Sequence, residues 1–242
     1  MDTTKLPTTL PSETTPKTYS ANKLRTFIVS AQATTLIVNG TITNTAVVNA
    51  NATTALLSAD VNSFVPTGTT LLFGTIPVIT TADVTIGTGA TTVNIQAAPA
   101  GGLAANATAT YSNLLEIPTP EEVSPTLTAD EETIKVHGRT TPIRSVNGID
   151  MTANIRTLAA IDDPVVRRLV GKGMSLSPNN RERLLWLYDD GFALMGTVNI
   201  GAPNRQAAPG GTQRCMFTAN LSGGLHWANL NDTTPVWKAV NA

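Results

Sequence analysis

Nucleophilic or metal chemistry in this chain would have to pass through very few side chains. There is one cysteine, Cys215, and there are two histidines, His137 and His226. A nucleophilic thiol needs a base within hydrogen-bonding reach and a depressed pKa. Cys215 instead sits in "QRCMFTANL", where Cys215, Phe217, Ala219 and Leu221 alternate with their neighbours. That spacing makes it a small core residue on a strand. Two histidines so far apart, with a single cysteine, give no metal-ligand spacing. His226 adjoins Trp227 in "GLHW", a packing or interface position.

Carboxylates occur in pairs at Glu121-Glu122, Asp162-Asp163 and Asp189-Asp190. Glycoside chemistry would need two such groups facing each other across a substrate. Each pair has a simpler local use: the first in a proline-rich linker, the second as a helix cap, the third in a tight turn with Gly191. "GTGATT", residues 87–92, lacks the strand-to-helix setting and the lysine of a phosphate loop. "GTVNIGAPNRQAAPGG" reads as a long hairpin connection. These residues supply no active site, cofactor site or metal site, and the expectation is a protein that is not an enzyme.

Charge divides the 242 residues. Charged side chains are 14% of the chain, against about 25% in typical soluble domains, and the net charge is −1. No basic patch for holding nucleic acid is available on bulk grounds. Between Thr26 and Leu115 the only charges are Asp60 and Asp83, whereas twelve basic and thirteen acidic residues follow from Glu116 onward. "EIPTPEEVSP", with three prolines in ten residues, marks the change, because proline lacks a backbone donor and disfavours helix before it. The expected organisation is an extended arm over 1–25, an all-β module over 26–112 and a second unit over 113–242. A lone cysteine allows no intrachain disulfide. The start of the chain has no apolar signal segment and no run of 18 apolar residues exists. The expectation is a protein made in a reducing cytoplasm, without membrane insertion.

The first module carries an internal repeat. Slid by 38 residues, "TTALLSADVNSFVPTGTTLLF" lies on "TTVNIQAAPAGGLAANATATY". Leu57 falls on Ile95, Val65 on Leu103, Phe73 on Tyr111 and Val48 on Ile86. Each half reads as short strands separated by small-residue turns, because Thr, Val and Ile favour a pleated surface. Strands at this spacing imply a small sandwich or barrel.

The second unit has sharper signals. "GIDMTANIRTL" puts Ile149, Met151, Ala153 and Ile155 on one face and Asp150, Thr152, Asn154 and Arg156 on the other, a strand with one wet face. "DDPVVRRLVGKG" predicts a helix over about 162–171. Asp162 or Asp163 caps it, Pro164 opens it, an apolar stripe runs through Val165, Val166, Leu169 and Val170, and Arg167 and Arg168 lie opposite the stripe. "RERLLWLYDDGFALMGTVNIG" predicts a hairpin, and "ETIKVHG", near 132–138, one more strand. The fold class is mainly β in two modules.

The order "SVNGIDMTANI", "DDPVVRRLVGKG", "RLLWLYDDGFALMGTVNIG" and "TQRCMFTANLSGGLHW" resembles the major tail tube protein of long-tailed bacteriophages. The resemblance covers roughly 113–242. It implies a two-sheet β-sandwich with a short flanking helix, assembled as hexameric rings that stack into a tube for viral DNA. It also implies self-association, contact with neighbouring tail proteins, transient non-specific passage of double-stranded DNA, and location in the virion tail. Segment 46–111 looks like a small all-β module of phage head and tail proteins, so a capsid decoration protein stays open. It precedes the tube-like part here, where added domains of tubes are often C-terminal. If the tube resemblance holds, Asp150, Thr152, Asn154 and Arg156 are candidates for lining the lumen; an ordinary solvated face is the other reading. A carbohydrate-binding adhesin would instead need exposed aromatics on the first module, whose Phe27, Phe64, Phe73 and Tyr111 all stand at core-like positions.

Overall fold

A computed structural model describes residues 24–134, 137, 141, 143–158, 161–206 and 213–240. The arm expected over 1–25 lies outside the described residues as far as residue 23. The chain is mainly β, with two curled antiparallel sheets and one short helix.

β1 (Arg25–Ser30) precedes eight short strands: β2 (Gly40–Asn44), β3 (Thr54–Ala59), β4 (Ser63–Val65), β5 (Thr70–Phe73), β6 (Ile76–Ile79), β7 (Val84–Ile86), β8 (Thr91–Asn94) and β9 (Thr108–Tyr111). Six of these eight form a sheet in the order β6-β5-β9-β2-β3-β8, while β4 pairs with β7. The 38-residue offset recurs in three dimensions. Ile42 and Thr80, Val48 and Ile86, Ala55 and Val93, Leu57 and Ile95, Val65 and Leu103, Leu71 and Ala109, and Phe73 and Tyr111 are all buried. Ala55 faces Val93 directly in the β3–β8 ladder, so equivalent strands pair antiparallel about a local twofold. Even the turns match. Gly68 has φ +77° and Asn106, its equivalent, has φ +62°, and glycine and asparagine are the residues that tolerate this left-handed region.

The rest of the chain runs β10 (Leu115–Glu116), β11 (Pro120–Glu122), β12 (Pro125–Ile134), β13 (Ile143–Thr157), α1 (Pro164–Gly173), β14 (Arg181–Leu187), β15 (Phe192–Ile200), β16 (Asn204–Gln206), β17 (Arg214–Asn229) and β18 (Lys238–Ala239). Its two layers belong to one curled sheet, ordered β10-β1-β14-β15-β17-β13-β11. β10 and β11 stand at opposite ends of that order, yet only Ile117–Thr119 separates them. One stretch of chain therefore pairs with β1, switches partner and pairs with β13, closing the sheet into a barrel. At the switch Thr119 has φ +38°, a conformation that a β-branched residue adopts only when held there. The buried Thr157 hydroxyl donates to Pro118 O at 2.5 Å, and Leu158 N donates to Thr119 O. Inside, Trp186 donates its Nε1–H to Val123 O at 2.6 Å, across the closed core.

β1 was expected in the first module but belongs to this barrel. Arg25–Ser30 pairs with Leu187–Glu182 in full register. The module is therefore an insertion between two neighbouring barrel strands, β1 and β10. Its two connecting segments are stitched where they meet. Asn113, buried, accepts from Ile37 N through Oδ1 and donates from Nδ2 to Thr35 O, both at 2.8 Å.

The helix is as its sequence dictates. Asp163 caps it, accepting from Val165 N and Val166 N; Pro164 opens it; Val165, Val166 and Leu169 enter the barrel core. Arg168 departs from expectation. It does not lie on a solvated face but reaches Glu182, whose side chain is fully buried, through two bonds of 2.8 and 3.0 Å, and Lys172 approaches the same carboxylate at 3.5 Å.

Candidate assembly surfaces

On β13, Met151, Ala153 and Ile155 are buried while Asp150, Thr152 and Asn154 are exposed and Arg156 is half-buried. Strict alternation on an antiparallel strand with one packed face produces this division. Register extends the polar row sideways. Thr152 lies between Thr126 of β12 and Asn220 of β17, and Asn220 faces Asn199 of β15. Asn154 faces Thr218 and Arg156 faces Met216. The four predicted residues thus share one outer wall of hydroxyls and amides across β12, β13, β17 and β15. Its charges are balanced. Glu121 of β11 accepts from Arg214 at 2.6 Å and stands 4.0 Å from Arg156. The Arg214 hydrogen bond holds the Glu121 carboxyl below its ordinary range.

Beyond this wall the β12–β13 pair leaves the barrel. β13 pairs with β17 only over Thr152–Thr157, whereas its ladder with β12 continues to Ile143. No residue of β12 is buried. The projecting ribbon shows Leu127, Ile134 and Val146, exposed by 47, 43 and 59%, and carries Asp130, Glu131 and Glu132 along β12. The strand expected near 132–138 therefore starts earlier, at Pro125. Of "ETIKVHG", Lys135, Val136 and Gly138 lie outside the described residues. Hydrophobic alternation located the wet face of β13, but nothing local in "PTLTADEETI" tells a free ribbon from a packed edge.

The groups that could do chemistry are dispersed. Cys215 is buried, and burial pushes its thiol pKa up, away from reactivity. His137 is exposed, and His226 is half-buried in β17 opposite Met195 and Ala239. Trp227, beside it, stacks with Phe192 and lies 4.7 Å from Lys238 Nζ. Asp163 caps the helix and Asp190 accepts from Phe192 N within the turn. Glu121-Glu122 belongs to β11 rather than to an unstructured linker. Among the described residues no group of three His, Cys, Asp or Glu side chains is placed to hold a metal ion, and no helix is long and apolar enough to cross a membrane. Phe73 and Tyr111 are buried in the module and Phe64 half-buried, while Phe27 belongs to the barrel. Sequence reasoning missed Glu182 and Asn113. Both look like surface residues in a local window, and only long-range packing buries them.

No protein-family model matches this chain, and no curated protein sequence matches it.

Proposed function

We propose that the chain is a structural subunit that self-associates into stacked rings, the tail tube of a long-tailed bacteriophage, in the virion tail. The observation that carries this reading is the β12–β13 ribbon. A two-stranded ribbon is marginal alone in water; this one exposes Leu127, Ile134 and Val146, and among the described residues β12 pairs with no strand but β13. A neighbouring copy supplies a further partner. Contacts of this head-to-tail kind close into rings or continue as open stacks.

The polar wall fits the same arrangement. Duplex DNA is retained by clustered Lys and Arg that displace counterions. Asp150, Thr152, Asn154 and Arg156, set among threonines and asparagines, offer no such cluster and suit a conduit. Around the closed barrel β1 stands three strands from β17 in either direction, so the inserted module leaves from the wall opposite this face. It would then decorate the outside of a tube.

Electron microscopy of the purified protein tests the reading. Rings and hollow stacks are expected, and the Leu127→Asp/Val146→Asp variant is expected to stay monomeric with an unchanged circular dichroism spectrum. Monomers alone, or trimers that bind an icosahedral head shell, would overturn the tube in favour of a capsid-decorating role.

A further inference from the structure

The wall of the barrel opposite the polar face is apolar. Phe27 and Val29 of β1, Leu185 of β14 and Ala193 of β15 point outward, yet are almost fully buried. Residues 31–38, the returning segment at 112–114 and the stretch from Leu230 to Trp237 fold over them and leave a groove of about 470 Å³. Phe27, Leu36, Val38, Leu185, Leu187 and Trp237 line it. Its upper walls remain open to water: Leu36 is 39% exposed, Val38 66% and Trp237 38%. Arg25 and Glu116 close one rim through a two-pronged ion pair of 2.8 and 2.7 Å.

We propose that this groove is filled by residues Leu6–Pro11 of the chain itself. Two observations name this occupant. The 23 residues that precede Leu24 join the barrel at Arg25, on the rim of the groove. Within them the sequence "LPTTLP" sets Leu6-Pro7 and Leu10-Pro11 four residues apart, amid Thr, Ser and Lys. Proline restricts φ and favours the extended polyproline conformation, which loses little entropy on docking and seats on aromatic-lined grooves. At about 3.1 Å per residue the two Leu-Pro pairs are spaced by ~12 Å. The twelve-residue tether between Pro11 and Leu24 spans up to ~40 Å when extended. That length lets the segment return to its own groove or cross to an adjacent copy. Both arrangements place the same side chains against Phe27 and Trp237. This inference does not depend on the tube reading.

Cysteine cross-linking in the full-length chain, with Cys215→Ala as background, tests it. Leu10→Cys paired with Leu36→Cys is expected to form a disulfide at least tenfold faster than Leu10→Cys paired with Val61→Cys, an exposed position on the module. A monomeric or a dimeric cross-linked product both support occupancy; equal rates overturn it. A second measurement uses Leu36→Cys alone. Replacing Leu6 and Leu10 together by serine is expected to speed thiol labelling at position 36 at least fivefold. Unchanged labelling, or protection that appears only as protein concentration rises and is indifferent to the serines, overturns the proposal.

Discussion

Two β-units share this chain and stay folded by different means. The inserted module has only Asp60 and Asp83 as charges, and each serves its own backbone, accepting from Val61 N and Thr67 N. Its order comes from recurrence: apolar residues buried at i and i+38, and equivalent strands facing each other. The barrel is asymmetric and uses single, specific devices, among them the Arg168–Glu182–Lys172 cluster, the partner switch at Thr119 and the Trp186 bond to Val123. A duplicated sequence can fix register by repeating one small pattern, because slipping by a residue would turn every buried side chain outward. A unit without symmetry fixes register by polar partners that only one arrangement satisfies.

The largest test of this contrast removes the buried carboxylate. Glu182→Ala leaves Arg168 and Lys172 facing each other without an anion, and is expected to cost about 3–5 kcal/mol. The chain's three tryptophans, Trp186, Trp227 and Trp237, lie on the barrel side, so their fluorescence in urea reads this unit. Amide exchange in 40–111 should be unchanged. Equal loss of protection there would show that the two units unfold as one.

Alkali should act on the module instead. Burial pushes the Tyr111 hydroxyl up to about 12, and that hydroxyl donates to Phe64 O at 2.6 Å. An unfolded tyrosine ionises near pH ~10. Between these values the unfolded state has lost a proton that the folded state keeps, so stability is full below pH ~10 and falls by about 2–3 kcal/mol as pH approaches 12. Tyr111→Phe should flatten that decline in exchange measured across 40–111. A decline of equal slope in the variant would assign it to other groups.

The neck between the units gives a smaller effect. Asn113→Ala leaves Ile37 N and Thr35 O without partners and is expected to cost about 1–3 kcal/mol. Exchange at Ile37 should quicken more than at any strand of either sheet. The smallest effect probes the internal twofold. Gly68→Ala, forced to φ +77°, should destabilise the module by about 1–2 kcal/mol, while Asn106→Gly at the equivalent turn should change it by only a few tenths. Thermal melts of both variants compare the two halves directly; a large loss from Asn106→Gly would mean that the halves are not equivalent there.

Much of the architecture was legible from short windows. The wet and dry faces of β13, the Asp163 cap, the turn at Gly191 and the offset repeat all follow from spacing and residue type. The assignment of β1 was not. "RTFIVS" sits at the start of the charge-poor region and resembles a module strand, yet its partner Leu187–Glu182 lies some 150 residues away. The helix pattern put Arg168 on a wet face, because periodicity reports the apolar stripe and not a buried anion on another strand. The register shift inside β17 was equally hidden. Gly196 faces Leu225 while Val198 faces Leu221, so a bulge resets the alternation that carried the prediction. For the candidate surfaces, the polar wall was visible in one strand; the ribbon and the groove exist only once the barrel has closed.

The neck held by Asn113 has one further implication. Because the chain leaves β1 and comes back to β10 side by side, the barrel sees the whole module as a single long turn. Closing a longer loop costs only about 0.6 kcal/mol per doubling of its length. Residues 40–111 can therefore be exchanged for another compact domain with adjoining termini, or for a short linker, and the barrel should still fold. The module is a cassette: the pairings that close the barrel do not depend on which compact domain is carried between β1 and β10.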